Sequence, residues 1–458
     1  MKKLIYSLLF AVAASTGSIF AEKIQIGDLY YNLDEANQTA EVTSNPNWAG
    51  YSGDIVIPDS VTYNAVTYCV TSIAEWAFEN CVNMTSITIS NTITRIGDKA
   101  FAFCSGLSSI IVGTNNIMYD SRENCNAIIE TANDKLVLGC KNSVIPNSVI
   151  NIGDWAFEYC SGLTSITIPN SVLYIGFRAF ASCRGLSSIT IPNSVLFIGY
   201  SAFAYCSGLS SVIIPSSVIS IGNSAFENCG NLSSIIVEQG NIIYDSRDNC
   251  NAVIETETNT LVLACKTTVI PNSVTAIGYG AFQGCANLNS ITIPNSITRI
   301  GEYAFYGCEG LTSISLPNSV KSIESGAFSS CLNLASVTIP NSVTDIGEWA
   351  FAYCSSLASI YNYATTPQTI VDEVFGNPSY APCVDKSICK LYVPTESVAA
   401  YQNADVWKEF TNIIGVVAPQ GISDPSAKYD ESRKLLRDGQ VLILRGDKTY
   451  TVTGQEIK

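Results

Sequence analysis

Histidine is absent from all 458 residues. That removes the commonest general base, the Ser-His-Asp and Cys-His arrangements, and every imidazole metal site. Charge is also scarce. Asp, Glu, Lys and Arg supply 14% of the chain, and acids outnumber bases 39 to 24. A net charge of −15 excludes the basic patch that nucleic acid or an anionic membrane surface requires. No Gly-rich phosphate loop and no nucleophile–base pair is present, and the carboxylates are scattered rather than matched. The reading is therefore no enzyme, no catalytic residue, no cofactor and no metal. Beyond the N-terminus no apolar run is long enough to span a bilayer.

What the sequence has in abundance is repetition. The phrase LTSITIPNSVLYIGFRAFASC at Leu163 to Cys183 recurs ten times. Its Phe falls at 78, 101, 157, 180, 203, 226, 282, 305, 328 and 351, each with Cys three residues on. The step is 23 residues, except twice, where it is 56. A fixed period of this size predicts a solenoid, whose coils bury their apolar faces only against neighbours. Ile166 and Ile168 alternate with Ser165 and Thr167, as in a short strand with one buried face. Pro169-Asn170 ends the strand, and a second extended piece, Val172 to Ile175, runs to Gly176. Ala179, Phe180, Cys183 and Leu186 then stand at helical spacing, which predicts one or two helical turns.

The chain divides as follows. Residues 1–21 read as a signal peptide: Lys2-Lys3, an apolar run from Leu4 to Ala14, and Ala21 at its end. Residues 22–70 form a β-rich cap, with runs at Leu29 to Leu33, Ala40 to Thr43, Asp54 to Ile57 and Val66 to Val70. The solenoid occupies 71–360. Its two 33-residue insertions, about 113–145 and 238–270, are near copies that read as hairpins leaving the rod. Residues 361–417 make the second cap, with a helix-like stretch at Ser397 to Phe410. A linker, 418–434, and a terminal β-hairpin, 435–458, complete the chain. Arg445-Gly446-Asp447 there is ordinary turn chemistry, not an integrin motif.

Seventeen cysteines in an exported chain raise the question of disulfides. Ten belong to the repeat and read as a buried ladder of free thiols, because parallel Cβ vectors are poorly aimed at one another. Cys125 with Cys140, and Cys250 with Cys265, bracket the hairpins and are the disulfide candidates.

At this point the units resemble the BspA-like, treponemal-type leucine-rich repeats, with the pattern L-x-x-L-x-L-P-x-S-V-x-x-I-G-x-x-A-F-x-x-C. Leu163, Ile166, Ile168, Pro169, Ser171, Val172, Ile175, Gly176, Ala179, Phe180 and Cys183 fill it. The resemblance extends to Tyr30 to Asp34, Ile57 to Tyr63, both insertions and Leu391 to Pro394. It implies an α/β, β-dominated leucine-rich-repeat solenoid of ten 23-residue coils, with two inserted β-hairpins and a cap at each end. It also implies a secreted or cell-surface protein that binds macromolecules, with matrix glycoproteins and other cells as partner classes. The tail from Leu435 is similar to Bacteroidetes type IX sorting segments, though shorter, which implies attachment on the exterior of the outer membrane.

The expected function is thus adhesion to protein or glycan on host or bacterial surfaces, with no nucleic acid and no membrane span. The alternatives are a surface-assembly protein without a specific ligand and, more remotely, a hydrolase. Candidate partner-binding residues are the aromatics that vary between units: Trp76, Trp155, Tyr159, Tyr200, Tyr205, Tyr303, Trp349 and Tyr353. The alternative for these rings is packing between neighbouring turns. The Ser ladder (Ser86, Ser165, Ser188, Ser290, Ser336) and the parallel Thr ladder, broken at Ile111, Ile213 and Ile236, read mainly as strand chemistry. Asp120, Arg122, Glu123 and Asn124, and their counterparts Asp245, Arg247, Asp248 and Asn249, read as hairpin caps in preference to a cation site.

Overall fold

The structure is a computed structural model. It describes residues 23–376 and 383–417, and beyond those only the backbone of four strands between Arg433 and Ile457. The expectations for the signal peptide, for 418–432 of the linker and for Gly446-Asp447 fall outside the described residues, and Arg433 and Lys434, expected in the linker, lie in a strand. The chain packs as two compact units. The first comprises Met1–Val269 with Gly278–Leu288 and Phe305–Glu309, and the second Ile270–Ile277, Asn289–Ala304 and Gly310–Lys458.

In the first unit the strands Leu29–Asp34, Thr39–Thr43, Gly53–Val56 and Val66–Ile73 fall where the β-branched runs predict them. Gly53–Val56 pairs in parallel with Met84–Ile89, which pairs with Ser109–Val112. The second extended piece of each coil stacks in register: Asn151↔Tyr174↔Phe197↔Ser220. Between these sheets the repeat phenylalanines stack. Phe157, Phe180, Phe203 and Phe226 have centroids 5.0, 5.2 and 5.0 Å apart, and all are buried. That spacing is the interstrand distance, so each ring sits on the coil below as the backbone dictates. The Ser-Ile-Thr-Ile run forms regular strands in some coils, such as Ser211–Ile214 and Ser234–Val237, but not at 165–168 or 188–191.

The expected helical turns do not form. Around Ala-Phe-x-x-Cys the backbone alternates between two hydrogen-bonding directions. Ala156, Glu158 and Cys160 donate back to Gly153, Trp155 and Phe157 of their own coil, at 3.3, 3.0 and 3.0 Å. Trp155, Phe157 and Tyr159 donate instead to Phe177, Ala179 and Ala181 of the next coil, at 2.9, 2.7 and 2.8 Å. A helix would spend every donor within itself and leave the coils unjoined. The alternation requires positive φ two residues before and two after each Phe, and all ten coils show it, from Trp76 and Asn80 to Trp349 and Tyr353.

The cysteine Sγ completes the join. Cys104, Cys183, Cys206 and Cys229 donate to the Phe carbonyl of the preceding coil, at 3.1, 3.1, 3.1 and 3.2 Å. All seventeen cysteines are free thiols. Cys125–Cys140 and Cys250–Cys265 are accordingly not disulfides. Cys125 and Cys140 face different cores, and their sulfurs bond to the backbone of Ala127 and Asn126 respectively. Cys250 and Cys265 repeat that pattern with Ala252 and Asn251.

The insertions are hairpins, but they do not leave the solenoid. Ile128–Glu130 pairs antiparallel with Lys135–Leu138, which then pairs in parallel with Asn151–Ile152. Gly139 takes the place of a repeat Phe and donates to Ala156 O at 2.8 Å. A Cβ on Gly139 would lie 2.1 Å from Phe157 Cε1, so that ring occupies the space a Phe would have filled. At the second insertion Ala264 holds that place and donates to Ala281 O at 2.8 Å, so each insertion is an abbreviated coil.

In the second unit Ala276–Ile277, Arg299–Ile300, Ser322–Ile323 and Asp345–Ile346 stack in parallel. Ser313–Ser315, Ser336–Ile339 and Ser359–Asn362 continue into two closing strands, Lys390–Pro394 and Asn412–Val416. The expected helix over Ser397 to Phe410 is reduced to Val398–Tyr401 and short 3-10 turns, interrupted where Val406 has φ 66°. Buried Phe375, Tyr401, Trp407 and Phe410 pack edge to face and close this end. The terminal hairpin is a four-stranded antiparallel sheet, Arg433–Arg437, Gln440–Arg445, Lys448–Thr451 and Glu456–Ile457.

Candidate functional site: an aromatic band on the turn ribbon

The alternating ribbon repeats its positive-φ positions at the coil spacing, and the larger side chains there are half-buried or exposed whereas Ser182, Ser201 and Ser224 are buried. Seven of the eight candidate aromatics occupy these positions, and Tyr200 lies one residue earlier. A bulky side chain in the left-handed region costs roughly 1 kcal/mol or more, because Cβ crowds the carbonyl.

In the first unit the rings join into one band. The Lys99 ammonium lies 4.4 Å from the Trp76 ring centroid and 5.0 Å from that of Trp155. Trp155 meets Phe177 edge-on at 5.4 Å, and Phe177 stacks on Tyr200 at 5.7 Å. Beside it Phe103 and Tyr159 are 4.2 Å apart. Tyr200 and Tyr205 are exposed at 43% and 40%, whereas Trp76, Trp155 and Tyr159 are half-buried by the ring contacts themselves. In the second unit Trp349 and Tyr353 stack at 6.3 Å, and the Tyr303 ring lies over Gly326.

Beneath the band Arg178 pairs with Glu158 at 2.6 Å. Burial pushes the Glu158 carboxyl above its ordinary value, and Arg178 opposes the shift. Next to Trp76 an open groove of about 560 Å³ is bordered by Trp48, Glu75, Glu79 and Asn80. Trp48 is 86% exposed with φ 58°, and no repeat copy exists for comparison, so the sequence gives no signal for it.

A second apolar surface escapes sequence reasoning. Ile150, Leu173, Tyr174, Phe197 and Ile219 stand exposed on the four coils between the insertions. Aligning coils position by position would have revealed it, because the residues matching Ile150, Leu173 and Ile219 in later coils are Thr275, Thr298, Lys321 and Thr344.

In each insertion the leading aspartate is paired with the arginine two residues on. Arg122 Nε donates to both oxygens of Asp120, at 2.9 and 3.0 Å, and Arg122 also reaches Asp134 at 2.6 Å. Arg247 repeats this with Asp245 and Asn259. Among the described residues no group of three or more Cys, Asp or Glu could hold a metal ion, and no helix is long and apolar enough to cross a membrane.

Parallel strand ladders, a buried Phe stack and coils repeating every 23 residues define a β-dominated leucine-rich-repeat solenoid. The chain belongs to the BspA type leucine rich repeat family, whose model matches residues 59–137, 137–252 and 261–381. Among solved structures it is similar to a leucine rich cell surface protein from Faecalibacterium prausnitzii: 25% identity, 87% of this chain and 95% of that one, TM-score 0.47. The pneumococcal vaccine antigen PcpA is 19% identical over 87% of this chain and 99% of its own, with a TM-score of 0.49. A leucine-rich repeat protein from Bacteroides ovatus is 26% identical over 74% and 94%, with a TM-score of 0.31. No curated protein matches the chain.

Proposed function

We propose that the chain is an exported, cell-surface binding protein that attaches to protein or glycan on host or bacterial surfaces. The observation that carries this is the continuous band Trp76–Lys99–Trp155–Phe177–Tyr200. A scaffold that needed these positions only for coil joining would be served by Gly, as at Gly280, Gly284, Gly307 and Gly326. Large aromatics held there despite strain supply contact area at low entropic cost, which suits a binding surface. Membership of the BspA type family supports a surface location.

The test is adherence of fluorescent particles coated with the full chain to epithelial monolayers, mucin and co-resident bacteria. Tyr200→Ala with Tyr205→Ala, both exposed, should reduce adherence several-fold while thermal unfolding stays unchanged. Equal adherence of the variant, or none by the parent, removes the binding reading and favours a surface-assembly role.

A further inference from the structure

The two insertions are an internal experiment, because one backbone device is used twice with different side chains around it. At each the strand ladder is broken in the same way. Ile96 N–H finds its acceptor in Tyr119 Oη at 3.2 Å, and Ile221 N–H in Tyr244 Oη at 3.2 Å. At the second break the gap is filled. Gln283 Nε2 donates to Glu227 at 2.6 Å, Ser224 Oγ donates to Gln283 Oε1 at 2.8 Å, and Gly280 adds no side chain. A void of only about 20 Å³ remains. At the first break the matching residues are Glu158, Ala102, Lys99 and Trp155. Glu158 turns to Arg178, Ala102 cannot reach across, and a cleft of about 220 Å³ stays open.

The lining sets the chemistry of the occupant. Asp98, Glu130, Asp154 and the Arg178-paired Glu158 border the cleft together with Lys99 and Lys135, and Trp155 forms one wall. An anion would face four carboxylates, one of them neutralised by its arginine. A cation would face two ammonium groups, one of which, Lys99, already occupies a position over the indole. A neutral polyol satisfies both sets, since each hydroxyl can donate to a carboxylate and accept from an ammonium. An apolar ring edge against Trp155 adds contact area without charge.

We propose that the cleft at the first insertion binds an uncharged sugar residue of a glycan, and that the second insertion carries the closed form of the same site. This rests on the surface-binding reading for its biological setting, but its test does not use adherence.

Titration of the full-length protein with methyl glycosides of glucose, galactose, mannose and N-acetylglucosamine, followed by calorimetry and tryptophan fluorescence, reads the cleft alone. At least one glycoside should bind saturably. Ala102→Glu with Glu158→Gln, which transplants the Glu227–Gln283 plug, should weaken that binding at least tenfold. Should the plug variant misfold, Asp98→Asn with Lys135→Thr, which copies Asn223 and Thr260, should weaken it several-fold. Glu396→Gln, exposed in the other unit, should leave it unchanged. The proposal is overturned if no glycoside binds, if spermidine or a uronic acid binds in preference, or if either folded variant binds as tightly as the parent. Glycoside binding by a parent protein that adheres to no surface would count against the aromatic band and leave the cleft standing.

Discussion

Raising the pH from 8 to 10 under reducing conditions should remove a large part of the stability of this protein. The thiols of Cys206, Cys250, Cys354 and Cys389 are all buried. Desolvation lifts them from the ordinary 9.0 to about 12, about 11, about 12 and about 12 respectively. Cys206 and Cys354 also donate to Phe180 O and Phe328 O at 3.1 Å, bonds that only the protonated sulfur can make. A folded value raised above the unfolded one gives stabilisation that is complete below about pH 9. It is lost as the pH rises toward the folded value, because the unfolded chain ionises first. At pH 10 the loss is roughly 1 kcal/mol per thiol and several kcal/mol for the four, against a typical total of about 5–15 kcal/mol. The assay is guanidinium unfolding by circular dichroism at both pH values, with thiolate in the folded protein read by the extent of iodoacetamide alkylation of these four cysteines, mapped by mass spectrometry. An unchanged midpoint, or thiolate appearing in the folded state at pH 10, would refute the reasoning.

Other outcomes follow from the same geometry. Phe203→Ala, in the middle of the stack, should cost about 3–5 kcal/mol by denaturant titration. Gly139→Ala should destabilise by about 1–3 kcal/mol, because its Cβ meets the fully buried Phe157 ring; a neutral result would show that the ring can move. Ser330→Gly, at φ 61°, should raise the unfolding midpoint slightly, and Ser330→Val should lower it. Alkylation of the denatured chain without reductant, read by mass spectrometry, should modify all seventeen cysteines.

The strands were legible because their signal is local. Leu29 to Leu33 and Ala40 to Thr43 alternate and end at turn residues, and the observed strands differ by a residue. The turn ribbon was misread for a physical reason. Ala179, Phe180 and Cys183 share the i, i+3 spacing that a helix and a run of three-residue turns have in common. What separates the two is the residue two places before or after the Phe. Gly280, Gly284, Gly307 and Gly326, with Asn80 and Asn228, mark those places as left-handed. The insertions showed their hairpin in sequence, but not that Gly139 substitutes for a Phe, since that depends on the neighbouring ring. The aromatic band was visible as residues. The cleft was not, because it exists only where Ala102 fails to reach Glu158 as Glu227 reaches Gln283.

The ribbon has one further consequence. Its donors point toward the following coil, as Phe180 N–H does to Ala202 O at 2.8 Å. On the opposite side the donors point toward the preceding coil, as Gly176 N–H does to Ile152 O at 2.9 Å. Every junction between standard coils therefore carries the same two-way pattern, like links cut from one die. Excising one whole link, for example 173–195, would bring together surfaces already built to meet. Duplication or loss of 23 residues can then lengthen or shorten the array in one step. The reach of the molecule is free to vary over generations, while each 33-residue insertion, whose junction is bespoke, is not.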